Sequence, residues 1–574
     1  MRVSALWRHL RDEKSNKKTG MKTRDIVMAS LLFSFIFSGF TAFGFTSPAV
    51  YNESSNRVEF LFCFTLLLLV CILVSYYLMS FFSRPFGKKL SLRDPGSTPC
   101  FIKEWGLLFI FTVLLWIVFW ILFFPGYFSP DSMDSVFQAV GAKELRNHHP
   151  LAFTALVTPF VWLGNAIGNI EIGLGLFSLL TMVFFAAVCS YITVWIKSHT
   201  NSRKLFLFCI VFLVLNPLLI EYSHAALKDV WFAGFVVLFA LNVANYLISP
   251  DKKTSILIKI GITGLFVCLF RGNGLFLIVP TLLVVSLCVK PKQSRVFATL
   301  IGCMVCYFLV TGPVYSVFNA KSAGFEEMVG IPLQQISRTL VDCGNVSKEN
   351  EQFLEDLFDI SEVKEVYDPY LVDPVKWSSG FDSDFLSENK FQFFITWWQI
   401  FLDNPKSYLE AWRDATLGYW FVGVKDSICT GAGYEWLPSF DQYSEHIEFP
   451  QDRHQNGSTI FEAVISIEEY NLTIEHLRSI PILSTFFNLA VPSWLFVFLA
   501  MFLFVQGRWK SFLIVLPFIL LFFTMLIATP TYYAWRYILS SYLFVPIALS
   551  LFIYRLPDEV NETTKTSCST PKIN

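Results

Sequence analysis

Two aspartates, a glutamine and two histidines share one polar stretch of an otherwise apolar chain, FPGYFSPDSMDSVFQAVGAKELRNHHP at residues 124–150. Ser129-Pro130 reads as a helix N-cap followed by proline at the first helical position, where a missing N–H costs nothing. In the helix that follows, Asp131, Asp134 and Gln138 share one face at i, i+3 and i+7, and Met133, Val136, Phe137 and Val140 fill another. Both aspartates lie near the helix start, where free amides and the dipole favour negative charge. An ionised carboxylate there can accept the proton of an attacking hydroxyl or bind a divalent cation. Asn147-His148-His149-Pro150 comes next. A residue before proline is extended, so the two histidines should diverge rather than ligate one metal together. One histidine with Asp131 and Asp134 would make a metal set; a hydrogen bond from one histidine to phosphate or sugar is the other use. Helix-start solvation and capping of the next helix are the plain alternatives.

The elements that must position these groups are membrane helices. Of 574 residues, 54% are hydrophobic and 16% charged, with mean hydropathy +0.52. A soluble domain of that length carries more surface charge. Apolar runs of roughly 17–25 residues, enough to cross a bilayer, recur throughout. The expected spans are 26–46, 59–82, 105–124, 171–195, 205–220, 230–248, 256–270, 275–289, 296–317, 481–506, 512–528 and 538–554. Residues 1–24 hold eight Lys or Arg with no small-residue cleavage pattern after them, so the first run reads as a retained span.

Basic residues sort by side. The N-terminus, Arg84/Lys88/Lys89/Arg93/Lys103, Lys197/Arg203/Lys204, Lys252/Lys253, Lys290/Lys292/Arg295, Arg508/Lys510 and Arg555 fall on one face, which the positive-inside rule makes cytoplasmic. About 12 crossings with both termini cytoplasmic follow, provided that 151–168 (LAFTALVTPFVWLGNAIG) is an interfacial helix rather than a span. The short spans at 256–289 also fit a re-entrant pair.

The chain then divides into four parts. Residues 1–104 are a cytoplasmic segment with two accessory membrane helices, and 105–317 a membrane core whose first outer loop (125–170) carries the site. Residues 318–480 form an extracytoplasmic domain, and 481–574 the last spans and a cytoplasmic tail. The insert, with 28 Asp or Glu against 11 Lys or Arg, shows helical patterns at Glu349–Phe358 and Pro405–Thr416. Within it Phe391–Phe401 reads as a helix packed on the membrane or under the domain, or as a lid. Arg338 and Lys376 are cations in an acidic field, and Cys343 and Cys429 are placed to form a disulfide if that side is oxidising. No Walker loop, dinucleotide fingerprint or Cys/His metal spacing occurs, and nothing suggests a nucleic-acid partner.

Three cations, Lys228, Arg271 and Arg536, fall at outer ends of spans where positive residues are otherwise scarce. Arg271-Gly272-Asn273-Gly274 forms a hairpin tip whose glycines allow close approach of an anion. Arg536 sits in Tyr532-Tyr533-Ala534-Trp535-Arg536-Tyr537, where a guanidinium can bind phosphate while stacking on aromatics such as Tyr533. Snorkelling and ion pairs with Glu221 or Asp229 are the bland alternatives.

A span, an outer loop with acids opening a juxtamembrane helix, and a proline step into a second interfacial helix together resemble GT-C glycosyltransferases. Asp131, with Asp134 nearby, stands where that fold carries its acidic motif, and His148-His149-Pro150-Leu151 where its mannosyltransferase and aminoarabinose-transferase branches carry a Lys-Pro-Pro-Leu-like step. Asp131 is followed by Ser132 rather than a second acid, and His148-His149 replaces Lys-Pro. The set PGYFSPDSMDS, NHHPLAFT, HAALKD (224–229), RGNG (271–274), LQQISR (333–338), DPVK (373–376) and WRY (535–537) is similar to a family of large bacterial membrane proteins, mostly Gram-positive. The resemblance implies an all-α, GT-C-like polytopic protein of the cell membrane that moves a sugar from a polyprenyl-phosphate donor to a cell-envelope glycan, lipid or protein. Asp131 would be the base and Asp134 its helper or, with Asp131, a divalent-metal ligand. Gln138, His148, His149, Lys228, Arg271, Asn273, Tyr533 and Arg536 would bind donor or acceptor. A transporter or flippase of an anionic or lipid-linked glycan, and a glycan polymerase or ligase, are the competing expectations.

Overall fold

Each of the twelve apolar segments contains a helix in the computed structural model, which describes residues 23–48, 57–83, 90–93, 99–249, 254–289, 293–423, 484–528 and 534–560 with a few isolated positions between. Tyr533 and Cys429 lie outside the described residues, and with them the Cys343–Cys429 pairing. The chain is an all-α membrane protein. In order run α1 (Thr23–Gly44), α2 (Arg57–Ser83), α3 (Pro99–Leu122), α4 (Pro130–Ala139), α5 (Leu151–Ile167), α6 (Ile170–Thr200), α7 (Arg203–Cys209), α8 (Pro217–Ser223), α9 (Lys228–Ile248), α10 (Thr254–Phe270), α11 (Gly274–Cys288) and α12 (Gln293–Leu309). The insert contributes α13 (Gly330–Val341), α14 (Lys348–Leu357), α15 (Lys390–Asp403) and α16 (Pro405–Thr416) among shorter turns, and α17 (Ala490–Val505), α18 (Trp509–Ala528) and α19 (Trp535–Ile553) close the chain.

Eight helices among the described residues are long and apolar enough to cross a membrane, and nine if one bent pair counts as a span. Twelve crossings would need α10, α11 and α17 as well, and these have only 17, 15 and 16 residues. The expected span 205–220 is the bent one: Arg203–Val214 and Pro217–Ser223 meet at 53°. Its cause is local. Pro217 has no N–H to continue the ladder, and the Asn216 side chain caps the new helix by accepting from Leu218 N at 3.1 Å. The 151–168 segment is a 17-residue helix, α5, packed on α6 so closely that a Cβ at Gly173 would strike the Phe160 carbonyl.

At the centre stands α9, buried over most of its length and packed against α6, α10, α18 and α19. The insert has its own core, with Leu333, Ile336, Leu354, Phe358, Phe393 and Tyr408 among its buried side chains. Both helices expected there are present, as α14 and α16. The insert is fastened to the membrane helices at their ends. Trp412 Nε1 donates to Leu526 O at 2.7 Å, Ser47 Oγ to Asp414 Oδ1 at 2.6 Å, and Arg413 Nη1 to Thr46 Oγ1 at 2.7 Å. At the opposite end of the helices the basic segments meet one another: Arg93 N donates to His199 O at 2.9 Å and Leu92 N to Arg555 O at 2.8 Å. Arg338 and Lys376 are paired, the first with Asp342 at 3.0 Å and the second with Glu327 at 2.9 Å.

Candidate functional site

The first loop is laid against the segment that leads into α9, and this contact sets the site. Tyr127 N donates to His224 O at 3.1 Å, Ala226 N to Tyr127 O at 2.8 Å, and Ser132 Oγ to Ala226 O at 2.6 Å. Gly126 makes the approach feasible: its φ is +100°, and a Cβ there would lie 2.6 Å from both His224 O and Ser178 Cβ. Beyond it α4 begins as expected, with the Ser129 side chain accepting from Ser132 N and proline at its first position. Met133, Val136 and Phe137 are buried, which turns Asp131, Asp134 and Gln138 towards the start of α9.

Four elements distant in sequence deliver an ionic cluster there. Asp131 Oδ2 accepts from Arg536 Nη1 at 2.9 Å and lies 3.2 Å from Lys228 Nζ. Lys228 Nζ is also 2.9 Å from His149 Nδ1, and the other ring nitrogen of His149 is 3.9 Å from Asp134 Oδ2. A charged lysine can only donate, so Nδ1 is the acceptor and the proton of the neutral ring sits on Nε2, facing Asp134. Asp134 further accepts from Gln138 Nε2 and from Lys143 Nζ, both at 2.6 Å.

Behind this layer is a carboxylate that sequence reading treats only as a counter-ion. Asp229, in the first turn of α9 and wholly buried, lies 3.3 Å from Arg271 Nε and 4.0 Å from Arg536 Nε. Between the arginines stands Tyr537. The Arg271 guanidinium is 4.0 Å from its ring centroid and that of Arg536 5.0 Å, and the Tyr537 hydroxyl accepts from Arg536 Nη2 at 3.2 Å. Two guanidiniums, one from the α10–α11 turn and one from α19, thus share a buried anion and an aromatic face. Asp131 keeps 28% of its side-chain surface exposed and Arg536 25%, so the cluster is open to an incoming group.

Electrostatics follow from this packing. Burial alone would raise the Asp131 carboxyl, but Lys228, Arg536 and His149 outweigh it and hold the group well below the usual carboxylate range. Asp134 is likewise lowered against its burial, by the Lys143 hydrogen bond and by His149. Burial and then the Lys228 charge push His149 down to about 3 from an ordinary 6.5. The unfolded chain therefore takes up a proton at this histidine below about pH 6.5 that the folded chain refuses until about 3. Stability should fall as pH drops through that window, with buried His224, lowered to about 4, acting in the same sense. The unfolding temperature of His149→Gln in detergent is expected to decline less between those pH values than that of the native chain.

Seven of the sequence candidates thus gather within one network: Asp131, Asp134, Gln138, His149, Lys228, Arg271 and Arg536. His148 packs edge-on against His149 but turns to Glu327, 3.7 Å away, on the insert. Asn273 joins none of these contacts among the described residues. Gly274 is also required by packing, because a Cβ there would meet Val267 O of α10. Asp229 and Tyr537 were missed as site residues; the signal was present in their adjacency to Lys228 and Arg536. Among the described residues no group of three His, Cys, Asp or Glu could hold a metal ion, and the oxygens of Asp131 and Asp134 are already met by Lys228, Arg536 and Lys143.

A family model, described as a family of unknown function (DUF6020), matches residues 140–566. The match takes in the histidines, Lys228, Arg271 and Arg536 and begins after Asp131. No curated protein and no solved structure matches the chain.

Proposed function

Because the chain belongs to the family of unknown function DUF6020, its activity has to be read from its own site, and we propose an extracytoplasmic glycosyltransferase of GT-C type. The donor is a polyprenyl-phosphate sugar and the acceptor a cell-envelope glycan, lipid or protein. The observation that carries the reading is the joining of Asp131 to Arg536 and Lys228 at the ends of membrane helices, with Arg271 alongside. A lipid phosphate presents its charge at this depth, and a pair of guanidiniums is the side-chain set best suited to it. In this reading α10, α11 and α17 cross the membrane with the other helices, giving twelve spans and cytoplasmic termini.

The reaction forms a bond from an acceptor oxygen to the anomeric carbon and breaks the bond from that carbon to the phosphate oxygen. The leaving phosphate keeps the electron pair, and Arg271, Arg536 and Lys228 stabilise its charge. Asp131 takes the acceptor hydroxyl's proton. At rest two cations make it a weak base; a bound phosphate competes for Arg536 and Lys228, so the carboxylate gains proton affinity when the donor is in place. Asp134, fixed by Gln138, Lys143 and His149, orients the acceptor side.

Asp229 acts in this scheme as a positioning residue, since one carboxylate holds both arginines. Asp229→Asn removes the negative charge that both arginines face, and is expected to weaken polyprenyl-phosphate binding roughly tenfold or more and to lower the unfolding temperature, as breaking a buried pair from one side does. Binding by the detergent-purified variant, at a temperature where it is still folded, is the measurement.

One observation favours transport instead: the break between α7 and α8, since unwound helices line transporter sites. Envelope glycan composition in cells with and without the chain separates the two. Loss of one sugar linkage, with its lipid-linked precursor accumulating on the outer face, supports transfer; accumulation on the inner face supports transport.

A further inference from the structure

The insert helix α15 buries Phe393, Thr396 and Ile400 in the insert core and leaves its opposite side apolar. Phe391, Phe394, Trp398 and Leu402 follow one another at helical spacing, and they are 80%, 43%, 51% and 61% exposed. A folded domain seldom leaves such a stripe open to water. Phe394 meets Phe325 with ring centroids 6.0 Å apart, and Lys390 stands over the same Phe325 ring at 5.0 Å. Phe325 lies a few residues beyond Val317 and Phe318, both strongly exposed where the α12 segment ends. Glu327, two residues further on, faces His148 beside the site. Through Phe325 and Glu327 the stripe's helix is thus tied both to the chain leaving the α12 segment, whose apolar side chains are exposed, and to His148 beside the site.

We propose that α15 lies in the head-group region of the leaflet on the insert's side, with Phe391, Phe394, Trp398 and Leu402 inserted among the upper acyl carbons. Phe, Trp and Leu on one face of a short helix, with a lysine at its start, are what an interfacial helix uses. A glycan platform would set several hydrogen-bonding groups among its rings; the four stripe positions carry only the Trp398 indole N–H, with the exposed Gln392 and Gln399 on the flank. Anchoring α15 in lipid fixes the insert against the bilayer and holds Glu327 and His148 at the rim of the site. This holds whatever chemistry the site performs.

The full-length protein in nanodiscs, irradiated with a phospholipid bearing a diazirine near the top of one acyl chain, supplies the test. Mass spectrometry should find lipid adducts on α15 between Phe391 and Leu402 and on exposed α12 residues such as Phe308. Adducts on Phe308 with none on α15 would overturn the proposal and leave the stripe for a soluble glycan or protein. Adducts on α15 that persist in Phe391→Ser/Trp398→Ser would overturn the assignment to this stripe.

Discussion

Asp131→Asn is expected to lower sugar transfer by about 10²–10⁴-fold while the protein accumulates normally. Asparagine fills the same space and still accepts from Arg536, but it cannot take a proton from an attacking hydroxyl. The fold should survive because Arg536 retains Tyr537 and Asp229, and Lys228 retains His149. Asp134→Asn gives the contrast. Its carboxylate is bound by Gln138, Lys143 and His149 and touches neither arginine among the described contacts, so its loss should cost about tenfold or less. Glycan profiles of cells complemented with each variant measure both. Equal effects would mean that the two carboxylates act as one unit.

The second large effect lies at the opposite end of the helices and concerns stability. Arg508 is buried, donating to Leu551 O at 2.7 Å, to Tyr554 O at 2.6 Å and to Ser511 Oγ at 3.1 Å, and it pairs with Glu559 at 3.1 Å. Glu559 in turn accepts from Ser511 N at 2.9 Å and Ser511 Oγ at 2.8 Å. One guanidinium thus ties the α17–α18 turn to the chain leaving α19. Arg508→Met would take the counter-ion from a buried carboxylate and a donor from each of two carbonyls, and breaking a buried pair from one side costs about 3–5 kcal/mol. The unfolding temperature in detergent should drop sharply, and Arg508→Met/Glu559→Gln should recover part of the loss. Recovery distinguishes a stranded charge from a packing defect.

How far the sequence carried these conclusions differs from part to part. Apolarity located a helix in each of the twelve expected spans, because a bilayer leaves the backbone few alternatives to helix. It could not say which of them are long enough, and the bend at Asn216-Pro217 was overlooked although that dipeptide is itself a break signal. Ser129-Pro130 fixed the start of α4 to the residue, since capping is local chemistry. Arg536 could be set near Asp131 from topology alone, though 405 residues separate them, because both fall at the same end of predicted spans. The finer assembly was not legible. Asp229 joins Arg271 to Arg536 only because α9 packs centrally, and Tyr537 lies between the guanidiniums only through the packing of α19 against α9. His148 faces the insert because the loop pairs with Lys321: Asn147 N donates to Lys321 O at 2.8 Å. Contacts of that kind depend on tertiary packing, which hydrophobic periodicity does not encode.

The central claim is that Arg271 and Arg536 form a seat for a lipid-borne phosphate. Replacing both by lysine keeps the charge beside Asp229 and Asp131 but removes the planar fork that binds phosphate bidentately. Binding of a short-chain polyprenyl phosphate to the detergent-purified protein is the direct measurement. Native chain should bind it and Arg271→Lys/Arg536→Lys should bind at least about tenfold more weakly, the equivalent of one charge-assisted hydrogen bond. Equal binding by the two proteins would contradict the claim.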